Sequence, residues 1–141
     1  MKYPAQFLPD TSGFVVTFRD IPEAMTQGDD EADAVAMAKD VLVSSMDYYL
    51  ERRRAIPLPS VALPGERLIP VPASVATKIL LLNEMLVQEV TPSELARRMG
   101  TTRQEVNRLT DLAHATKIDR IEDAMSALGR KFEITVIAEA A

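Results

Sequence analysis

The stretch Thr91-Pro92-Ser93-Glu94-Leu95-Ala96-Arg97-Arg98-Met99-Gly100-Thr101-Thr102-Arg103-Gln104-Glu105-Val106-Asn107-Arg108-Leu109 reads as two short helices meeting at a tight corner. Thr91 is placed to cap the first helix, with Pro92 at its first position and Glu94 completing a capping box. Leu95, Ala96 and Met99 give that helix a buried face. Gly100 suits the corner, where a left-handed backbone is cheap only for glycine. Thr102 and Glu105 form a second capping box, and Val106 and Leu109 point inward from the second helix.

A small residue at Ala96, then Gly100, then an aliphatic residue at Val106 is the packing pattern of a helix-turn-helix. With the inside so assigned, the outside of the second helix carries Thr102, Arg103, Gln104, Asn107 and Arg108. Ser93, on the first turn of the preceding helix, joins them as a contact residue. Arginine pairs with guanine edges and Gln or Asn with adenine, so this set is suited to reading a major groove. A plain helical hairpin with a solvated polar face would show the same caps and spacing. An outer face rich in Arg, Gln and Asn but poor in acid favours DNA.

The net charge of −5 argues against nucleic acid at first sight, but the charge is uneven. Residues 1–65 hold 6 basic and 10 acidic side chains, whereas residues 92–120 hold 6 basic and 4 acidic. The local surface, not the total, meets phosphates. So weak a patch binds poorly in one copy and better in two, because the second contact becomes intramolecular. An apolar content of 47% over 141 residues fits a folded protein of one domain or two small ones. There is no cysteine, hence no disulfide or thiolate chemistry. No apolar run approaches the ~20 residues of a membrane span, and the start lacks a signal-peptide core. A cytoplasmic protein is expected.

Working outward, Tyr3, Ala5 and Phe7 alternate, Pro9 to Gly13 is dense in turn formers, and Phe14, Val16 and Phe18 alternate again, which predicts a β-hairpin. A short strand is expected at 24–27, ending at Gly28. Asp30 caps a long helix with Ala34, Val35, Ala38, Val41, Leu42, Met46 and Tyr49 at helical spacing and Arg52 to Arg54 in its last turn. Five prolines between 55 and 72 exclude a helix there. Residues 56–60 are expected to add an edge strand, and 61–71 to form a stiff connector. A helix follows over 73–88, striped by Val75, Ile79, Leu82 and Leu86. After the helix pair comes another helix from Thr116, with Ile118, Ile121, Met125 and Leu128 inward. Residues 131–137 alternate as a strand that has nothing of its own chain to pair with, so pairing with a second copy is expected. The fold class is therefore α+β: a small antiparallel sheet with one long helix over 1–60, a linker over 61–71, and a helical domain over 72–141.

No catalytic group stands out. His114 has no second histidine or cysteine for a metal and no triad partners, and no glycine-rich phosphate loop is present. Asp20, Glu23 and Asp40 raise a metal-dependent nuclease, but these acids fall in turns or on an exposed helix flank. No enzyme, metal or cofactor is expected.

The run Phe18-Arg19-Asp20-Ile21-Pro22-Glu23-Ala24-Met25-Thr26-Gln27-Gly28-Asp29, the helix opening Glu31-Ala32-Asp33-Ala34, and Ile56-Pro57-Leu58-Pro59-Ser60 resemble the HicB family of antitoxins from type II toxin–antitoxin systems. Leu80-Leu81-Leu82-Asn83 and Glu94-Leu95-Ala96-Arg97-Arg98 resemble the members with a Cro/repressor-type helix-turn-helix. The resemblance implies a partial RNase H-like β-β-β-α-β unit without a working active site. That unit would bind and block a HicA-type toxin, a small mRNA-cleaving RNase. The C-terminal half would bind operator DNA and repress the operon, with toxin binding modulating repression. An acidic N-terminal half suits a basic RNA-binding toxin, and Asp20, Glu23, Thr26, Gln27 and Asp29 are the expected contact residues. A homodimer or higher oligomer is expected, with recognition helices about one DNA turn, roughly 34 Å, apart. The alternative is a stand-alone transcription regulator whose N-terminal half senses a ligand, which a buried polar pocket would favour.

Overall fold

The computed structural model describes residues 1–139, and among these the chain forms four strands and six helices. The hairpin forms where its alternation predicts, but Pro9 and Asp10 continue the strand and only Thr11 and Ser12 make the turn, in place of a loop over Pro9 to Gly13: β1 (Lys2–Asp10) and β2 (Gly13–Phe18) pair antiparallel, and β3 (Met25–Gly28) joins the outer edge of β2. Helix α1 (Glu31–Ser45) then crosses the sheet, started by the Asp30 carboxylate, which accepts the Asp33 N–H at 2.8 Å. Its Ala34, Ala38 and Leu42 pack on Tyr3, Ala5, Val16 and Phe18 of the sheet. Gly28 permits this closeness. A Cβ there would stand 2.3 Å from the Ala34 nitrogen and 2.5 Å from its Cα.

The expected long helix is two. It breaks at buried Met46, and α2 (Asp47–Glu51) follows. Arg52 to Arg54 therefore lie beyond a helix end rather than in a last turn; Arg52 stacks over the Tyr48 ring at 3.7 Å. The edge strand is also misplaced by the sequence reading. Residues 56–60 form no strand, and β4 (Arg67–Pro70) pairs antiparallel with β1 instead, giving the order β3-β2-β1-β4. Pro57 and Pro59 remove alternate N–H donors, so that segment cannot complete a ladder. Side chains hold it: Tyr3 Oη donates to the Pro57 carbonyl at 2.7 Å, and Asn83 exchanges two hydrogen bonds with the Ile56 backbone, at 2.8 and 2.9 Å.

Helix α3 (Ala73–Val87) is apolar on two sides. Val75 and Ile79 complete the core over the sheet; Leu81 and Met85 belong to a second core with Leu95, Ala96, Val106, Leu109, Ile121 and Met125. Leu82 and Leu86, expected in the inward stripe, are only half-buried. The second core is closed by α4 (Pro92–Met99), α5 (Arg103–Leu109) and α6 (Ile118–Ala127). Ile118 is 41% exposed, so the inward face of α6 starts at Ile121. Beyond α6, residues 131–139 form no strand. Phe132 rests against the second core, while Ile134, Val136 and Ile137 are 74%, 98% and 76% exposed. The segment pairs with neither edge strand of the sheet, β3 or β4, and its backbone groups stay in solvent.

The side chain the apolar stripe conceals is Lys78, which is wholly buried. Its ammonium donates to the carbonyls of Arg108 at 3.1 Å, Asp111 at 2.8 Å and His114 at 2.5 Å, using all three donors. Burial pushes its pKa down, against a smaller upward pull from the Asp111 carboxylate.

Two substitutions test this packing. Lys78→Met keeps the stem and removes the ammonium, leaving buried carbonyls without a donor, and is expected to cost about 1–3 kcal/mol in urea denaturation; an unmoved midpoint would mean that water replaces it. Gly28→Ala drives a methyl into the backbone of α1 and is expected to cost about 1–3 kcal/mol or more, read from the same transition, whereas Gly65→Ala, which meets nothing within 4 Å but sits at φ 84°, shows what left-handed backbone strain alone costs without a clash.

Candidate functional site

The helix pair is set by local chemistry. Thr91 Oγ1 accepts the Glu94 N–H at 3.1 Å and Thr102 Oγ1 accepts the Glu105 N–H at 3.2 Å, so both helices start where the caps place them. Only the threonine half of each capping box forms. The glutamates turn elsewhere: Glu94 binds Arg97 at 2.6 Å and Arg98 at 3.0 Å, while Glu105 accepts from Arg120 of α6 at 2.5 Å and from the Thr101 hydroxyl. Hydrogen bonds from Arg97, then Arg98, hold the Glu94 carboxyl down at about 2. Gly100 closes α4 with φ 66° and ψ 35°, the left-handed corner its position calls for. Leu95, Ala96, Val106 and Leu109 are buried beneath the corner.

The structure leaves Ser93, Thr102, Arg103, Gln104, Asn107 and Arg108 all exposed. Arg103 reaches across the corner and donates from Nη1 to Ser93 Oγ at 3.0 Å, which joins the first turns of α4 and α5 into one polar surface. Of the six cations in 92–120, Arg97, Arg98 and Arg120 are paired with carboxylates of their own chain. Arg103 and Arg108 on α5 and Lys117 before α6 make up the rest of that set. The Glu105–Arg120 pair was not anticipated from sequence. Nothing local joins residues 15 apart on different helices.

The second expected set runs along the β3 side of the sheet, from Asp20 and Glu23 before Met25 to Asp29 beyond Gly28, and its members differ in kind. Asp20 is half-buried and accepts the Ser60 N–H at 2.8 Å and the Ser60 hydroxyl at 2.6 Å. Glu23 accepts the Tyr49 hydroxyl at 2.5 Å. Burial first, and that bond second, push the Tyr49 phenol up to about 12. Thr26 and Gln27 belong to β3, an edge strand, with Gln27 exposed; Asp29 is exposed just after it. Asp20 and Glu23 thus brace the turn before β3, and the other three lie along a free sheet edge. Two side chains that bear on the geometry, Lys78 and Leu112, escaped the sequence reading. Lys78 sits at stripe spacing with Val75 and Leu82, and a charge in that register was the available signal. Among the described residues no group of three or more His, Asp or Glu side chains is placed to hold a metal ion, and no helix is long and apolar enough to cross a membrane.

Comparison with known proteins places this architecture. The family model described as a HicB-like antitoxin of bacterial toxin–antitoxin systems matches residues 2–80, from β1 into α3. Antitoxin HicB 2 of Photorhabdus laumondii subsp. laumondii is 50% identical over 137 residues, covering 97% of each chain. Antitoxin HicB of Escherichia coli K12 is 46% identical over 138 residues, 97% of this chain and 100% of that one. Antitoxin HicB of Pseudomonas fluorescens Pf0-1 is 35% identical over 120 residues, 84% of this chain and 82% of that one. These alignments run through the α4–α5 pair that the family model leaves out. On that coverage and identity, the chain belongs to the HicB-like antitoxins of bacterial toxin–antitoxin systems.

Proposed function

We propose that this antitoxin neutralises a HicA-type mRNA-cleaving toxin through its sheet half and represses its own operon through α4 and α5, which act as a helix-turn-helix. The observation that carries the DNA reading is the pairing of inside with outside at one corner. Leu95, Ala96, Val106 and Leu109 are buried, Gly100 is left-handed, and Arg103, Gln104, Asn107 and Arg108 all face solvent. In this reading Thr102 and Ser93 contact phosphate beside the base-reading set. The division expected as a toxin-binding unit over 1–60, a linker over 61–71 and a DNA-binding unit over 72–141 is part of the proposal, with β4, which pairs with β1, counted in the sheet unit and only 61–66 left as connector; work in the cytoplasm without catalysis, metal or cofactor is proposed with it.

For the sheet half, the order β-β-β-α-α-β, which departs from the expected β-β-β-α-β only by the break at Met46, supports a partial RNase H-like unit. An edge strand beside exposed Gln27 and Asp29 supports strand addition or edge contact by a basic toxin. In this proposal Asp20 and Glu23 act by shaping the turn before β3, and Thr26, Gln27 and Asp29 touch the toxin. The alternative of a ligand-sensing regulator would need a buried polar pocket; the cleft of about 600 Å³ between α1 and the start of α3 carries Lys39, Asp40, Ser44 and Asp47 beside Val43, Val71 and Leu112, but it opens to solvent.

A second copy completes the DNA reading. The exposed Ile134, Val136 and Ile137 pair with the same segment of a partner chain, and the two recognition helices then lie about one DNA turn, roughly 34 Å, apart. Arg103→Ala or Gln104→Ala is expected to weaken binding to the operon's upstream DNA by ~1–3 kcal/mol, measured by fluorescence anisotropy, while growth rescue on toxin co-expression is retained. Equal operator affinity of wild type and both variants would sink the assignment. A chain ending at Arg130 is expected to sediment as a monomer and to lose most operator binding; a truncated chain that still dimerises would move the seam elsewhere.

A further inference from the structure

Two side chains fasten the far end of α5: one ties it to α3, whose Val75 and Ile79 enter the sheet core, and the other enters that core itself. The first is Lys78, whose buried ammonium meets the carbonyls of Arg108, Asp111 and His114. These acceptors lie at or just past the C-terminal end of α5, where carbonyls lack helical partners and a cation is favoured. The second is Leu112, in the same turn. It is 7% exposed, and it packs not with α4, α5 and α6 but in the sheet core, with Tyr3, Leu42, Val71 and Val75. The turn that follows α5 is thus rooted in the other half. In a chain tethered only by its proline-rich segment Leu112 would have no place in that core, whereas the Lys78 bonds lie within the helical half.

Resting on the reading of α5 as the DNA reader and of the sheet half as the toxin seat, we infer that Lys78 and Leu112 are positioning residues. They hold α5 at a fixed angle to the sheet half. The two halves then move as one body, and occupation of the sheet half by toxin alters operator affinity through this joint rather than through a loose tether. Converging acceptors make the joint directional, because three carbonyls meet one ammonium only when residues 108–114 keep this conformation. The apolar plug adds depth: Leu112 cannot leave without opening a hole in the sheet core.

The test has a toxin-free arm and a toxin arm. Residual dipolar couplings on the full chain are expected to fit one alignment tensor for residues 3–70 and 92–128; two independent tensors would overturn the joint. In the second arm, operator affinity is measured with and without the small basic protein encoded by the adjacent reading frame. Wild type is expected to shift by about fivefold or more, and Lys78→Met and Leu112→Ala to shift by less than about twofold, with toxin affinity itself held. A purely structural role would lower the melting midpoint of the variants and leave the toxin-induced shift intact, and that result counts against the inference, as does a wild type that binds both partners without any shift. If Lys78→Met does not fold, Leu112→Ala carries the comparison. A wild type that binds no operator at all speaks against the DNA reading instead, and the tensor measurement then decides the joint alone.

Discussion

Three carbonyls at the end of α5 converge on one buried ammonium, that of Lys78. Burying a charge is a poor route to stability, since the loss of hydration offsets most of what the new contacts contribute. What such a group fixes is geometry. A methionine in its place would fill the volume and accept many arrangements of the turn after α5, whereas the ammonium accepts only one that brings all three oxygens within reach. The direction in which α5 faces solvent is thereby decided from α3, not from the corner at Gly100 alone. The corner sets the angle between α4 and α5; Lys78 sets where the pair stands relative to the sheet.

Helix α3 can do this because it is apolar on opposed sides. Val75 and Ile79 enter one core and Leu81 and Met85 the other. Residues 79 and 81 are two apart, which on a helix puts them about 200° round from one another. Asn83 adds a polar fastening on the same helix by exchanging paired hydrogen bonds with Ile56, so the proline-rich return from α2 is tied to α3 as a strand would be tied to its neighbour. A helix with one stripe could close one core. Two stripes, one lysine and one asparagine make it the shared wall of both.

Features written in a few adjacent residues were legible from the sequence. The Thr91 and Thr102 caps, the left-handed Gly100 and the Asp30 cap each depend on contacts within about four residues, the hairpin from Tyr3 to Phe18 on neighbours no more than 13 apart around one turn, and the structure forms them all. The exposure of Arg103, Gln104, Asn107 and Arg108 on α5, with Thr102 at its cap and Ser93 on α4, followed from the same local pattern. What escaped depends on partners far along the chain. The strand at Arg67–Pro70 is specified by β1, more than sixty residues earlier, and its own proline-dense setting reads as a connector. The glutamates of the capping boxes were misassigned because arginines on α4 and α6 compete for them: Arg97 and Arg98 for Glu94, Arg120 for Glu105. A charge-assisted bond is roughly twice as strong as a neutral one, so the carboxylates leave the backbone N–H for the guanidinium. Sequence patterns give the capping offer and omit the better bid.

That competition also bears on how an acidic chain binds DNA in the proposed function. Glu94 is held in its ionised form down to about 2, so at any physiological pH it offsets the charge of Arg97 and Arg98 beside the reading face. Arg120 is likewise committed to Glu105 and Asp123. Each such pair trims the attraction to phosphate that is blind to sequence, and leaves Arg103, Gln104, Asn107 and Arg108 as the groups that distinguish one base pair from another. A protein so arranged binds weakly everywhere in one copy and tightly only where two copies meet two half-sites. In the proposed function the segment that exposes Ile134, Val136 and Ile137, costly to leave in water on a lone chain, supplies the second copy, and specificity and self-association then become two outcomes of the same shortage of positive charge.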